Sequence, residues 1–345
     1  MIILTVFLTT LGLLFIKTNY EVITPAVVTP VDDYMTIGND KKSKLDINTT
    51  SIYGFTRANL LNFIVSKLNP FVDENKLYSY INTSESYETT QGALHRGLSI
   101  RNAIVSGYKE AGYDVEIDFK GYVVTSIYNF GVQMNFELED KIFRVEDIEL
   151  SEKVTLDDAI KQIRKSNSDK MLFNCLIKRL ENNKMVEKEV VLELYLKDDK
   201  IYSPIVSELD YDFKILDENA PKYDYEYGNA MGPSGGLMQA LFVYESLTGG
   251  NLTKGLKIAG TGTVDVNGNA GLIGGIKQKI YTANANGVDI FFVPIDKSRD
   301  TKKDRFSNWY DAKEAYDNLL FTNMKIYPVS SLYDIIEYLE KQQWF

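Results

Sequence analysis

The residues Gly232-Pro233-Ser234-Gly235-Gly236-Leu237-Met238-Gln239-Ala240-Leu241 make a turn that runs straight into an apolar helix, and the reading of the C-terminal half grows out of them. Leu237, Leu241, Tyr244 and Leu247 recur at helical spacing, and Thr248-Gly249-Gly250 ends the run. Beyond it, residues 256–266 and 270–273 predict a hairpin across Asn267-Gly268, a type I′ turn signal. Gly274-Gly275 then opens a helix at Ile276 that stops at Asn286-Gly287, and residues 289–293 form an apolar strand before Pro294. Ser331 caps a last helix that buries Leu332, Ile335, Ile336 and Leu339. Strands are also expected over 202–209 and 212–216. Alternating strands and helices of this kind give an α/β or α+β fold.

The same turn carries the candidate chemistry. Gly232, Pro233 and Gly235 expose the Ser234 hydroxyl beside backbone N–H groups able to hold an oxyanion; the plainer alternative is a serine N-cap. A base is available in Lys277 or Lys279. The two lie about 200° apart around a helix, so only one can face a given pocket, and position does not choose between them. To accept a proton near neutrality the chosen lysine must be desolvated, which lowers an ammonium pKa. Other candidates are scarce: His95 beside Arg96 reads as structural, and Cys175, in an apolar stretch, as a buried inert thiol.

The bulk numbers narrow the partners. The chain has 345 residues, room for more than one core, and a net charge of −10. No Lys/Arg cluster carries interleaved aromatics, so nucleic acid is not expected. One histidine and one cysteine provide no metal-site spacing and no disulfide, and no metal or cofactor is expected. Gly250-Asn251-Leu252-Thr253-Lys254-Gly255 lacks the Gly-Lys-Ser/Thr ending of a phosphate loop, so no nucleotide is expected. Asp265-Val266-Asn267-Gly268-Asn269 resembles the start of a calcium loop, but Ala270 and Ile276 stand where glycine and glutamate are needed.

Residues 1–16 contain no charged side chain and are expected to form a transmembrane anchor, completed by Thr18 to Tyr20. Residues 17–44, with Pro25, Pro30 and a polar run, read as a tether. A strand over 45–53, helices over 57–68 and 89–111, and a β-rich unit over 115–197 follow. That unit contains a helix starting at Thr155 and a hairpin turning at 181–184.

The order of elements over 115–197 resembles a PDZ domain. In that resemblance Gly121, Tyr122, Val123 and Val124 stand for the loop whose N–H groups hold a peptide carboxylate. Gly232-Pro233-Ser234-Gly235-Gly236, Gly260-Thr261-Gly262-Thr263 and Gly274-Gly275-Ile276-Lys277-Gln278-Lys279 together resemble the proteolytic domain of Lon-type peptidases. The resemblance implies Ser234 as nucleophile, Lys279 rather than Lys277 as base, and Thr261 as the residue orienting the amine. Two positions depart from the pattern: Gly235 replaces an alanine, and Met231 an acidic residue of the ATP-dependent branch. With an anchor (1–16), a tether (17–44), a leading part of the Lon-like region (45–114), the PDZ-like unit and a proteolytic domain (198–345), the whole resembles membrane-anchored PDZ-containing Lon-like proteases. The resemblance implies an ATP-independent serine endopeptidase of extended protein segments, a homo-oligomeric ring, and a chain lying mostly outside the cytoplasm. The rival expectations are a non-catalytic membrane-tethered adaptor and a phosphate-binding module.

Overall fold

Ile290–Pro294 is buried at every position, the pattern of a strand covered on both faces and paired on both edges. It lies parallel between Lys325–Val329 and Ile258–Gly260. The sheet continues through Ile47–Phe55, parallel to Ile258–Gly260, and then turns antiparallel through Tyr20–Pro30 to Asp73–Lys76. In this computed structural model the described residues are 2–38, 45–226, 232–249, 251–296 and 307–341. They divide into two units. The first combines Met1–Leu77, Ser99–Asp114 and Ile215–Phe345 and holds this mixed sheet; the second combines Tyr78–Leu98 with Val115–Lys214.

Helices Gly236–Thr248, Ile276–Ala285, Asn308–Asp317 and Leu332–Lys341 belong to the first unit. Ile276, Ile280 and Ala283 join Ala259, Phe291 and Val293 in one core cluster. The last helix starts as its sequence indicates, with the Asp334 N–H donating to Ser331 Oγ.

Three expectations for the first unit are corrected. Residues 20–30, read as tether, form the strand Tyr20–Pro30. Its prolines suggested a linker, but Pro25 sits where the register with Ile47–Phe55 shifts, a bulge that tolerates a missing N–H. The helix expected to run on through Thr18 to Tyr20 ends at Phe15. The Thr18 N–H donates to Ala58 O, and Ile16 O accepts from the Leu60 N–H. Its 14 residues reach about 21 Å, short of the ~30 Å hydrocarbon thickness. Among the described residues no helix is long and apolar enough to cross a membrane. The hairpin near Asn267-Gly268 is also different: Thr263–Val264 pairs with Ala270–Gly271 across a longer loop, with Gly268 but not Asn267 at positive φ. Asp265 Oδ1 accepts from the N–H groups of Asn267 and Asn269, an Asx-type turn in place of type I′.

The second unit is a sheet ordered Ile205–Ile215, Val115–Ile127, Lys141–Val145, Leu172–Glu181, Lys184–Glu193. Helix Leu156–Ser166 covers it, with Thr155 and Asp158 completing a capping box. Phe173, Ile177, Leu192 and Ile142 fill the core beneath Leu156, Ala159 and Ile160. Asn182 and Asn183 both take positive φ (49° and 62°), the two-residue hairpin geometry at the predicted turn. The two strands expected over 202–216 are one, Ile205–Ile215.

The reading of Gly121, Tyr122, Val123 and Val124 as a carboxylate-binding loop is corrected here. All four lie inside the strand Val115–Ile127. Tyr122 pairs with Ile142 and Val123 with Lys141, the Val124 N–H donates to Asp140 O at 2.8 Å, and Ile205–Ile215 occupies the other edge. Backbone donors inside a strand paired on both edges are not free to hold a carboxylate. His95 pairs with Glu208 at 3.0 Å, and Cys175 is buried, its thiol pushed up to about 12 by that burial.

Candidate active site

The turn before Gly236–Thr248 is shaped by its residues one at a time. Gly232 takes φ 99°, a value that side-chain-bearing residues avoid. Pro233 offers its carbonyl to two donors, the Gly236 N–H at 3.2 Å and Ser99 Oγ at 2.9 Å. The helix N-cap is Gly235, without any side-chain cap. Ser234 is therefore not the N-cap, and its hydroxyl is left for another partner.

That partner is Lys279. Helix Ile276–Ala285 begins at Gly275, whose left-handed φ of 69° and nearness to Ile52 leave no room for a larger residue. The helix turns Ile276, Gln278, Lys279 and Ile280 inward. Lys279 Nζ comes to 2.7 Å from Ser234 Oγ and 3.0 Å from Thr261 Oγ1. Lys279 is 1% exposed, and burial lowers its pKa to about 7. No carboxylate contributes to that shift, so the amine is held near neutrality by desolvation alone. Lys277 points elsewhere, with Asp73 4.0 Å away and 35% of its side chain exposed. The geometry thus separates two lysines that helical position left equivalent.

Thr261 follows the strand Ile258–Gly260 and is fully buried. Its Oγ1 lies within bonding distance of Lys279 Nζ and donates to Ser234 O at 3.0 Å, while the Gly262 N–H donates to the same carbonyl at 2.8 Å. One hydroxyl thereby touches both the amine and the backbone of the serine. Gly232, Pro233, Ser234, Gly235, Thr261 and Lys279 form one constellation within the first unit. Gly121 to Val124 belong to the second unit and have no part in it. Met231 lies outside the described residues.

Sequence reasoning missed the supports. Ser99, inside helix Glu85–Glu110, is one; Asn102, whose Nδ2 donates to Val264 O at 3.0 Å, is another. Thr50 Oγ1 donates to Gly260 O at 3.2 Å. A small polar residue in an amphipathic run gives no local sign that it will bond a loop more than a hundred positions away.

Chemically, this is a hydroxyl against an amine with a usable lone pair, in a water-poor pocket. Such a pair can transfer a proton from oxygen to nitrogen as the oxygen attacks an electrophile. Residues 229–337 match the family model described as Lon protease (S16) C-terminal proteolytic domain. A Lon protease of Aster yellows witches'-broom phytoplasma (strain AYWB) is 33% identical over 104 residues, 30% of this chain. The match covers 11% of that relative's length. Residues 229–337 are thus similar to a Lon-type serine protease domain, and Ser234, Thr261 and Lys279 all fall inside that span.

Proposed function

We propose that this chain is an ATP-independent serine endopeptidase acting on unfolded or extended protein segments. The observation that carries the reading is the buried Lys279 amine 2.7 Å from Ser234 Oγ. Ser234 Oγ attacks the substrate carbonyl carbon while neutral Lys279 takes its proton. The Ser234 and Gly235 N–H groups, at the start of the helix, stabilise the resulting oxyanion. The ammonium then gives its proton to the leaving amine, and the acyl group stays on Ser234. Water attacks that ester, with Lys279 again as base, and releases the acid. Thr261 holds the amine in line by accepting a hydrogen bond from it. Independence of ATP is supported by the lack of a phosphate-loop ending in the sequence.

Location at a membrane belongs to the same proposal. Helix Ile2–Phe15 carries no charge and exposes Ile2, Ile3, Leu4, Phe7, Leu8 and Phe15. Apolar surface on that scale favours insertion into lipid, though the helix alone is too short to span it.

The test is cleavage of dye-quenched casein by the purified chain, with and without ATP. Cleavage should be independent of ATP and disappear in Ser234→Ala and in Lys279→Gln. Full activity in either variant would sink the mechanism.

A further inference from the structure

The turn that carries Ser234 is gripped from a second side by residues remote in sequence. Gln239 lies in the first turn of helix Gly236–Thr248, and its backbone N–H donates to Gly235 O at 3.0 Å. Its side-chain Nε2 donates to Tyr34 Oη at 3.3 Å. Tyr34 caps the 3-10 turn Val31–Asp33, and Thr49 of strand Ile47–Phe55 lies beside its phenol. Thr49 Oγ1 in turn donates to Thr29 O at 3.3 Å. Tyr34 Oη thus accepts from Gln239 Nε2, and the Thr49 hydroxyl is held by the Thr29 carbonyl.

Gly235 sits in the angle of this network. A Cβ at that position would lie 3.0 Å from Thr49 Cγ2 and 3.5 Å from Gln239 Nε2. On the far side, the Ser234 carbonyl is held by Thr261 Oγ1 and the Gly262 N–H. The peptide between Ser234 and Gly235 is therefore hydrogen-bonded at its carbonyl, and Thr49 and Gln239 pack closely on its Gly235 α-carbon. Burial raises the Tyr34 pKa above its ordinary 10.0, which keeps the phenol neutral wherever Lys279 titrates.

We propose that Tyr34, Thr49 and Gln239 are positioning residues that set the orientation of the Ser234–Gly235 peptide, and with it the aim of the nucleophile. The inference rests on the serine-peptidase reading. The peptide joins the α-carbon that carries the Ser234 side chain to the nitrogen that carries the Gly235 N–H, so a displacement of it as a whole shifts nucleophile and oxyanion donor together. Misplacement of about 1 Å costs roughly a hundredfold in rate.

The experiment measures kcat and KM for dye-quenched casein, normalised to the folded fraction from circular dichroism melts. Tyr34→Phe and Gln239→Leu should each lower kcat by roughly tenfold to a hundredfold with KM unchanged. Because both cut one chain of bonds, the double variant should be no slower than the worse single one. Thr49→Ser, which keeps the hydroxyl but removes the methyl packed at Gly235, should also lower kcat with KM unchanged. Wild-type kcat per folded molecule in Tyr34→Phe and Gln239→Leu would overturn the inference, as would effects that multiply in the double variant. Wild-type cleavage that survives Ser234→Ala would instead overturn the peptidase reading, and the inference with it.

Discussion

Two glycine-led segments, Gly232 to Gly236 and Gly121 to Val124, look alike in sequence. Each places a positive-φ glycine (99° and 118°) ahead of residues whose N–H groups are candidates to bind an anion. Their surroundings part them. Val115–Ile127 is paired on both edges, and its donors go into the ladder. The Ser234 turn stands outside any ladder, and its contacts are made by carbonyls: Pro233 O takes Ser99 and Gly236, and Ser234 O takes Thr261 and Gly262. In one segment the backbone donors are consumed; in the other the carbonyls are tied and the side-chain hydroxyl is left to a lysine. Whether a glycine motif can act is decided by its neighbours, not by its own residues.

The strongest way to break this contrast is to remove the amine. Lys279→Met keeps a long apolar stem and should lower kcat by about 10⁴-fold or more, as loss of a dyad partner does. It should also change stability in a defined direction. The folded-state pKa of about 7 lies below the ordinary 10.5, so between these values the unfolded chain holds one proton more than the folded one. Stability therefore rises with pH across that window, and the penalty is fully present below about pH 7. Lys279→Met should be more stable than wild type at pH 7 and should lose this part of the pH slope. Denaturant unfolding at several pH values measures both. A variant less stable than wild type would show that the pocket does not penalise the ammonium.

A smaller effect comes from crowding the turn. A Cβ on Gly236 would sit 2.7 Å from Ser99 Oγ and 3.2 Å from the Val264 backbone nitrogen. One of these neighbours is backbone and cannot swing away. Gly236→Ala should shift the start of the helix and reduce kcat by roughly a hundredfold. Addition of Ser99→Ala should recover only part of that loss, since Val264 remains. Smaller again is the response to protons. Wild-type kcat/KM should fall about tenfold for each pH unit below about 7, as Lys279 takes up a proton and ceases to be a base. A profile flat from pH 8 to 5 would remove Lys279 from the base role.

How far the sequence reached follows the same division. Ser234 and the glycines around it were legible because turn, cap and helix start are local signals, which left Lys277 and Lys279 open; the choice of Lys279 came through resemblance. Thr261 came only through resemblance, since nothing in Gly260-Thr261-Gly262 states that a hydroxyl will face an amine. Ser99, Tyr34, Thr49 and Gln239 were not legible; Gln239 and Tyr34 stand 205 positions apart, and only the fold joins them. Pro25 and Pro30 suggested a tether because a proline in mid-strand is uncommon, and no periodicity announces a bulge that accommodates one. Gly121 misled for the opposite reason: its positive φ is real, but it lies inside a strand.

The mildest prediction puts the contrast inside a single helix. Lys277 and Lys279 share helix Ile276–Ala285, the same side-chain type and nearly the same sequence surroundings. Lys277 has Asp73 at 4.0 Å and keeps about a third of its side chain in water, where an ion pair contributes little. Lys277→Gln should therefore leave kcat and KM for casein within about twofold of wild type, and stability within about 0.5 kcal/mol. A large loss of kcat in Lys277→Gln would mean that this lysine reaches the reacting groups. Unchanged kinetics beside an inactive Lys279→Met would show that desolvation and the 2.7 Å approach, rather than the presence of a lysine near Gly274-Gly275, make the base.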